Sequence, residues 1–172
     1  FSHIHQPGIA VGGHCIPVYP RLYLSNDPDA TIVRAARETN AGMPEYAVER
    51  LEEAFGDLRG AKVAVLGASY RGGVKETAFS GVFAVVAALR QRGANVAVHD
   101  PMYSDNELSE SGWEPYHLGE PVDAVIIQAD HADYAGVEQS SFPGVSVVLN
   151  GRATLVCAAP TVVLGNGTRP ID

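Results

Sequence analysis

Residues 62–67 read KVAVLG, a short apolar run that ends in glycine, and the fold is worked out most directly from this run. Strands of a parallel sheet are buried on both faces, so they occur in a sequence as continuous apolar runs rather than as alternating ones. Similar runs occur at residues 95–101 (NVAVHDP), 123–128 (DAVIIQ) and 145–149 (VSVVL), with a weaker one at residues 161–165 (TVVLG). We therefore predict four or five short parallel strands.

A helix is predicted between the first two of these runs. Ser80 can cap its first turn, the apolar residues that follow recur at helical spacing, and Gly93 suits its end. A second, short helix is predicted near residues 131–137, whereas residues 102–121 are interpreted as irregular. Strands that alternate with helices indicate a doubly wound parallel sheet with right-handed crossovers. The expected fold is therefore α/β and Rossmann-like.

The first part of the chain has a different composition. Residues 1–27 contain repeated glycines and prolines and are predicted to form a loop. The triplet DPD at residues 27–29 provides a cap and an acidic first turn for a helix. We expect this helix to be interrupted at residues 40–42 (NAG), with a second helical stretch at residues 44–55, whose apolar face is interpreted as core packing. The predicted organisation is a loop (1–27), linking helices that also mediate dimerisation (28–58) and an α/β domain (60–172).

Composition narrows the classes of function. The chain has 172 residues and a formal net charge of −8, which would repel a phosphate backbone, so we expect no nucleic-acid partner. No apolar run is long enough to span a membrane, and no signal-peptide pattern opens the sequence. The two cysteines, Cys15 and Cys157, are far apart and do not suggest a disulfide framework, which favours a cytoplasmic protein. Because the sequence begins at Phe1, just before a distinctive motif, we expect it to be part of a longer protein.

That motif is GGHCIPVYP, residues 12–20, which places one thiol in a glycine-rich, proline-terminated loop. Glycine allows a ligand to approach the backbone closely, and proline stiffens the loop. Free cysteine is also among the most often buried residue types, so composition alone leaves an inert Cys15 open beside a reactive one. His3, His5 and His14 could join Cys15 as zinc ligands, but their spacing matches no established zinc site, and we predict no metal.

Over a longer stretch, residues 6–20 (QPGIAVGGHCIPVYP) resemble the catalytic loop QPGPGxGGHCIPVDP of the UDP-glucose/GDP-mannose dehydrogenase family. The similarity is greatest to the branch that oxidises UDP-N-acetylhexosamines. Residues 36–40 (ARETN) resemble the family segment A-R-E-x-N, and residues 67–73 (GASYRGG) resemble G-x-A-Y-K-P-G at the start of its UDP-binding domain. Residues 150–152 (NGR) resemble its D-G-R.

The resemblance implies a homodimer that oxidises the C6 hydroxyl of a UDP-sugar to a carboxylate with NAD. Its cysteine, here Cys15, would add to the C6 aldehyde to give a thiohemiacetal, and oxidation to a thioester and hydrolysis would follow. The residues implied to bind the substrate are Gly12, Gly13, Tyr70, Arg71 and Arg152. NAD would be held by a separate domain, and GASYRGG lacks the G-x-G-x-x-G spacing of a dinucleotide site. We therefore expect no cofactor to bind this chain, and no turnover by it alone.

Several positions depart from the family pattern. Tyr19 stands where the motif has an aspartate associated with proton and water handling, and a phenol does not replace a carboxylate as a base at neutral pH. Arg71 replaces a lysine, which keeps the charge but changes the donor geometry. Ala78 and Phe79 replace an arginine and a glutamate, which puts the usual subunit contacts in doubt. These departures leave open an alternative function, a non-catalytic nucleotide-sugar-binding or dimerisation module.

Overall fold

The computed structural model describes residues 8–153 and 159–164. Along these residues the chain forms four α-helices and six β-strands. The helices are α1 (Cys15–Asn26), α2 (Thr31–Phe55), α3 (Val82–Gln91) and α4 (Asp105–Glu110). The strands are β1 (Lys62–Leu66), β2 (Asn95–His99), β3 (Glu114–Pro115), β4 (Ala124–Ile127), β5 (Val147–Asn150) and β6 (Thr161–Val163). Single turns of 3-10 helix lie at Ala132–Tyr134 and Gln139–Ser141.

The strands form one parallel sheet in the order β3-β2-β1-β4-β5-β6. In β1, Val63 is in register with Val96 of β2 on one side and with Ala124 of β4 on the other. The chain builds outward from β1 through β2 and β3 on one side and through β4, β5 and β6 on the other. The strand order therefore reverses between β1 and β4. The predicted Rossmann-like parallel sheet is confirmed, including its weak last strand.

Burial of both faces of the sheet explains why its strands read as continuous apolar runs. Val63 and Val65 of β1 belong to the apolar cluster that includes residues of α2 and α3. Ala64 and Leu66 point to the opposite face and join a second cluster that contains Phe142. Successive residues of a strand alternate between faces, so all four are withdrawn from water only because both faces are covered.

The second half of α2 belongs to the same core. Val48 and Leu51 are fully buried in the cluster beneath the sheet. At the surface, the Arg92 guanidinium lies 2.7 Å from Glu45 and 2.8 Å from Glu52, both on α2. The helix is therefore held to the α/β domain by burial of its apolar side chains and by the two ion pairs of Arg92.

The N-terminal residues differ from the prediction of a loop over residues 1–27, because Cys15–Asn26 form α1. Glycine, which weakens helices, is confined to residues 8–13 in this part of the structure. Pro17 lies in the first turn, where a missing N–H removes no helical hydrogen bond. Only Pro20 interrupts the ladder, and the helix continues past it. The prediction gave too much weight to the prolines.

The predicted interruption at residues 40–42 is also wrong, since α2 is continuous from Thr31 to Phe55. Gly42 has open space around it and costs the helix only about 1 kcal/mol relative to alanine. Pro44 removes the N–H that would bond to the Asn40 carbonyl, but its ring is buried. Tertiary packing therefore stabilises the helix across a segment of low intrinsic helix propensity.

A third difference lies in the region that was interpreted as irregular, residues 102–121, which contains α4 and β3. Ser104 caps α4 by accepting a hydrogen bond from the Glu107 N–H, and the Glu107 carboxylate accepts one in return from the Ser104 N–H. This capping box is visible in the sequence as Ser-x-x-Glu. The short helix predicted near residues 131–137 is reduced to one 3-10 turn.

One buried carboxylate fixes the loop that follows β1. This β1–α3 loop spans residues 67–81, and Asp100 lies beneath its start, 2% exposed. Oδ2 of Asp100 accepts hydrogen bonds from the N–H groups of Ala68 (2.9 Å) and Ser69 (3.0 Å) and from the Ser69 hydroxyl (3.1 Å). Nε2 of His131 lies 3.1 Å from the same oxygen, but too poorly aligned for a regular hydrogen bond. Burial alone would raise the pKa of Asp100, yet His131 and the donated N–H groups outweigh burial and lower it.

We predict that Asp100→Asn lowers the free energy of unfolding at pH 7 by about 2–3 kcal/mol, because an amide cannot match a carboxylate toward these donors. The folded pKa of Asp100 is lowered, so its stabilisation is complete above the unfolded value of 3.8 and is lost as the pH falls through the folded pKa. Urea unfolding at several pH values should therefore show the difference from wild type shrinking below about pH 4. The exposed Asp29→Asn is the control, and an equal loss in both variants would contradict the prediction.

Candidate functional site

Polar side chains gather where the parallel strands end. Ser69 follows β1, Asp100 follows β2, Asp130 follows β4 and Arg152 follows β5. These carboxyl ends share one edge of the sheet, and the strand order reverses between β1 and β4 at that edge. Ligands of open α/β sheets bind outside the carboxyl ends at such a reversal. The candidate site therefore lies at this edge.

The residues that precede α1, which we call the N-terminal segment (residues 8–14), cross this edge. Ile9 is fully buried, and a Cβ added to Gly151 would lie 2.6 Å from its Cγ1. Ala10 lies against the start of α3, where a Cβ at Gly81 would be 3.1 Å from its own Cβ. Burying one isoleucine stabilises by about 1.5–3 kcal/mol, enough to anchor a short segment. The segment thus covers the edge of the sheet rather than extending into solvent.

Gly12 and Gly13 make close contacts between the N-terminal segment and the β1–α3 loop. A Cβ at Gly12 would lie 2.6 Å from Cβ of Tyr70 and 2.7 Å from the Phe79 carbonyl oxygen. Gly13 has φ +87° and donates its N–H to the Ala78 carbonyl at 2.9 Å. Any side chain at Gly12 would push the two elements apart. The structure thus brings two predicted site residues against a third, Tyr70.

Cys15 begins α1 as an exposed free thiol. It has no hydrogen-bond partner among the described residues, and the neighbouring His14 turns to Glu76, with Nε2 3.3 Å from Oε2. A hydrogen bond from the Ala78 N–H and the contact with His14 lower the pKa of Glu76. His14 therefore connects the N-terminal segment to the β1–α3 loop and is not placed as a base for Cys15.

Tyr19 lies one helical turn after Cys15, on the same face of α1, and is 64% exposed. The four-residue spacing makes the Tyr19 side chain a neighbour of the Cys15 thiol on the helix surface. Phe79 of the β1–α3 loop is half exposed and has the left-handed φ of +52°, and its ring centre lies 5.4 Å from the guanidinium of Arg21 in α1. Bulky residues rarely adopt this conformation, and such strain is concentrated at functional sites.

Arg71 and Arg152, the two predicted substrate-binding cations, have different surroundings. Arg71 is exposed; its guanidinium lies 5.9 Å from the ring centre of Tyr70 and makes no ion pair within the described residues. Arg152 is mostly buried and pairs with Asp130 at 3.0 Å. Burial alone would raise the pKa of Asp130, but Arg152 and a hydrogen bond from the Gly72 N–H lower it. Arg71 is thus open to solvent at this edge, whereas Arg152 links the ends of β4 and β5 through Asp130.

Most backbone N–H groups in the first part of the β1–α3 loop are used within the protein. Among residues 68–73, five of them donate to neighbouring side chains or carbonyls, at distances of 2.9–3.5 Å. The pairs are Ala68 and Ser69 with Asp100, Tyr70 with the Glu76 carbonyl, Gly72 with Asp130, and Gly73 with Nδ1 of His131. The first N–H of α3, from Val82, is taken by the Ser80 hydroxyl. The loop therefore does not present the open cradle of N–H groups that holds the pyrophosphate of a dinucleotide.

Sequence reasoning missed the residues after β4. Gln128 is buried and donates to the Gly67 and Ser69 carbonyls and to the Ser80 hydroxyl. Asp130 and His131 hold the β1–α3 loop from the same strand end. The signal was available, because QADH directly follows the apolar run AVII, and polar residues at the carboxyl end of a buried strand belong to the edge that binds ligands.

Other predicted features lie outside the described residues, namely Cys157, His3 and His5. Among the side chains that the structure does describe, no group of three or more His, Cys, Asp or Glu could hold a metal ion. No helix within the described ranges is long and apolar enough to cross a membrane.

Two grooves accompany the site. One, of about 380 Å³, lies between α1 and α2 and is lined mainly by apolar side chains, including Ile16, Ile32 and Val33. A larger groove of about 790 Å³ lies at the amino ends of the strands, beside Trp113 and Tyr116. The larger groove is at the edge of the sheet opposite to the gathered polar residues, so its size does not make it the functional site.

Comparison with known proteins matches residues 64–155 to the UDP binding domain of the UDP-glucose/GDP-mannose dehydrogenase family. A relative from Pyrococcus horikoshii, named UDP-N-acetyl-D-mannosamine dehydrogenase, is 35% identical over 158 residues, which cover 87% of this chain and 36% of that protein. The chain thus spans about a third of the length of the curated relatives it matches.

Solved structures agree with this match. A UDP-D-ManNAc dehydrogenase from Pyrococcus horikoshii superposes with a TM-score of 0.74 at 30% identity and covers 96% of this chain and 41% of its own. A UDP-glucose dehydrogenase from Pyrobaculum islandicum gives a TM-score of 0.75 at 29% identity, over 90% of this chain and 38% of its own. Motif, fold and overall similarity agree, and the chain belongs to the UDP-glucose/GDP-mannose dehydrogenase family, of which it contains the UDP-binding domain.

Proposed function

We propose that this chain forms the nucleotide-sugar side of the active site of a UDP-N-acetylhexosamine 6-dehydrogenase. The observation that carries the proposal is the packing of Gly12 against Tyr70 and Phe79, which holds the segment leading to Cys15 against the UDP-binding domain. A nucleophile and a nucleotide-binding loop are thereby joined in one rigid unit. The relatives named as UDP-N-acetyl-D-mannosamine dehydrogenases support the hexosamine class of substrate.

In this proposal Cys15 is the nucleophile. Its sulfur adds to the carbonyl carbon of the C6 aldehyde, and the carbonyl oxygen takes up a proton to give a thiohemiacetal. At the later thioester stage, water attacks the same carbon and the sulfur leaves, which releases the carboxylate and regenerates the thiol. The exposed position of Cys15 at the start of α1 suits both steps, because substrate and water can reach the sulfur.

The described residues do not fit NAD. Asp100, at the position after β2 where a dinucleotide site has a ribose-binding acid, is buried and bonded to Ala68 and Ser69. The N–H groups of residues 68–70, 72 and 73, which follow β1 directly, already donate within the protein. The oxidations need a hydride acceptor, so we propose that NAD is held by a further part of a longer protein and that this chain alone does not turn over.

Arg71 and Tyr70 are proposed to bind the UDP part of the substrate. Arg71 is exposed at the carboxyl edge and has no carboxylate partner in the described residues, so it can pair with a diphosphate. Gly12 and Gly13 would border the sugar, since they lead to Cys15. We propose that Arg152 contributes to substrate binding partly through its ion pair with Asp130, whose carboxylate accepts a hydrogen bond from the Gly72 N–H.

The alternative is a nucleotide-sugar-binding or dimerisation module without catalysis. It is favoured by Tyr19, which occupies the aspartate position of the family motif one turn after Cys15, and by Ala78 and Phe79 in the β1–α3 loop. A nucleotide-sugar-binding module would share UDP binding with the main proposal and differ from it in whether the longer protein turns over, whereas a dimerisation module would require neither. A cytoplasmic location suits either, because an exposed free thiol such as Cys15 persists in a reducing compartment.

We predict by calorimetry that this chain binds UDP and UDP-N-acetylmannosamine weakly and gives no measurable heat with NAD. Arg71→Ala should weaken UDP binding about tenfold, because one charge-assisted contact to phosphate is lost. Arg59→Ala removes the same charge near the amino end of β1 and is the control. Tighter binding of NAD than of UDP would reverse the assignment of this domain.

A second prediction concerns the thiols. Iodoacetamide followed by mass mapping should label Cys15 faster than Cys157, since Cys15 is exposed. The chain should produce no NADH from UDP-sugar and NAD, and Tyr19→Asp should not restore production, because the hydride acceptor still has no site. Cys15→Ser gives the background of the labelling assay. Turnover by the chain alone, or preferential labelling of Cys157, would show the proposal to be wrong.

We also propose that the chain forms a homodimer through α1 and α2. The groove between these helices is lined by apolar side chains, and Ile32 is 85% exposed. Contiguous exposed apolar surface is typical of an interface.

Sedimentation velocity should therefore show a dimer for the wild-type chain. Ile32→Asp should shift it toward monomer, because a carboxylate in an apolar interface loses its hydration. Ala35→Asp places the same charge on an exposed position of α2 outside the groove and should leave the dimer intact. A monomer at high concentration in the wild-type chain would contradict this prediction.

A further inference from the structure

Asn40 of α2 makes a two-point contact with the N-terminal segment. Its Oδ1 accepts a hydrogen bond from the Val11 N–H at 2.8 Å, and its Nδ2 donates to the Val11 carbonyl at 3.3 Å. The side chain therefore binds both polar groups of one residue, as a neighbouring strand would. The two residues are 29 positions apart in sequence, so this contact joins elements that chain connectivity does not hold together.

Nothing in the local structure of α2 calls for asparagine at this position. Asparagine in a helix interior is less favourable than alanine by roughly 0.5 kcal/mol, because its side chain competes for backbone hydrogen bonds. The Asn40 carbonyl also lacks its regular helical donor, since Pro44 has no N–H. The described contacts of the Asn40 side chain are those with Val11.

The contact completes the fixation of the segment that leads to Cys15. Ile9 anchors its start by burial, and the Gly13 N–H bonds to the Ala78 carbonyl near its end. Between these points Val11 is 47% exposed, and Asn40 supplies its hydrogen bonds. Without Asn40, the N–H and the carbonyl of Val11 would be left to form hydrogen bonds with solvent.

We infer that Asn40 is a positioning residue, which acts through Val11 to set the place of Cys15 and of the sugar-binding glycines. This inference rests on the proposed function, because that proposal places the sugar end of the substrate at the segment that Asn40 holds. The UDP end is assigned to Tyr70 and Arg71, which Asn40 does not touch. Loss of Asn40 should consequently affect the two ends of the substrate differently.

The first measurement is hydrogen exchange of the Val11 amide by NMR, in Asn40→Ala, Asn40→Asp and Thr39→Ala. Loss of one hydrogen bond should speed exchange in Asn40→Ala about tenfold. Asn40→Asp keeps an acceptor for the Val11 N–H and should restore most of the protection. Thr39 is exposed and adjacent, and threonine and asparagine have similar helix propensities, so Thr39→Ala controls for the gain of alanine. Unchanged exchange in Asn40→Ala would overturn the inference.

The second measurement is calorimetry of the same variants with UDP-N-acetylmannosamine and with UDP. A segment that is no longer preorganised should weaken binding of the UDP-sugar about fivefold in Asn40→Ala, with less than about a twofold effect on UDP. A merely structural role would weaken both ligands equally, and that result would overturn the inference. If the wild-type chain binds neither ligand, the proposed function fails, while the exchange of the Val11 amide still decides whether Asn40 holds the segment.

Discussion

The buried carboxylate of Asp100 is the interaction on which the arrangement of this site depends. Three hydrogen bonds from Ala68 and Ser69 converge on one of its oxygens and fix the direction in which the chain leaves β1. That direction places Tyr70 where Gly12 can pack against it, and so determines where the N-terminal segment crosses the sheet. A buried charge is costly unless it is fully bonded, and here that requirement makes the loop conformation specific.

In the proposed function, the same carboxylate accounts for a Rossmann-like sheet that binds a nucleotide and not a dinucleotide. In a dinucleotide site the acid after the second strand and the N–H groups after the first strand both face the ligand. In this chain they face each other, and the N-terminal segment covers the start of α3 with Ala10. What remains on the outer side is an exposed cation, Arg71, an aromatic ring, Tyr70, and a thiol, Cys15. The proposed function therefore places the binding surface on the outside of the segment that covers the sheet, and not in the crevice of the sheet.

Apolar patterning was sufficient to predict the sheet, because strands buried on both faces leave continuous runs such as VAVL and AVII. It failed for α1 and for the middle of α2, where glycine and proline suggested breaks but tertiary packing offset their modest cost. The nucleophilic role of Cys15 was predicted from its motif and stays a prediction; the structure shows that its side chain is exposed. The contacts of Asn40 with Val11 and of Asp130 with Arg152 could not be predicted, because a contact between residues far apart in sequence leaves no periodicity to detect.

The continuity of α2 has a mechanical consequence. At 25 residues the helix is about 37 Å long, with one half embedded in the domain core and the other half standing at the surface. Its hydrogen-bond ladder is interrupted where Pro44 lacks an N–H, at the boundary between the two halves, and helices bend at such points. Asn40 lies one turn before Pro44, in the outer half, and its side chain is hydrogen-bonded to Val11. Because Asn40 is bonded to Val11 and Gly12 packs against Tyr70, the outer half of α2 is connected through the N-terminal segment to the β1–α3 loop.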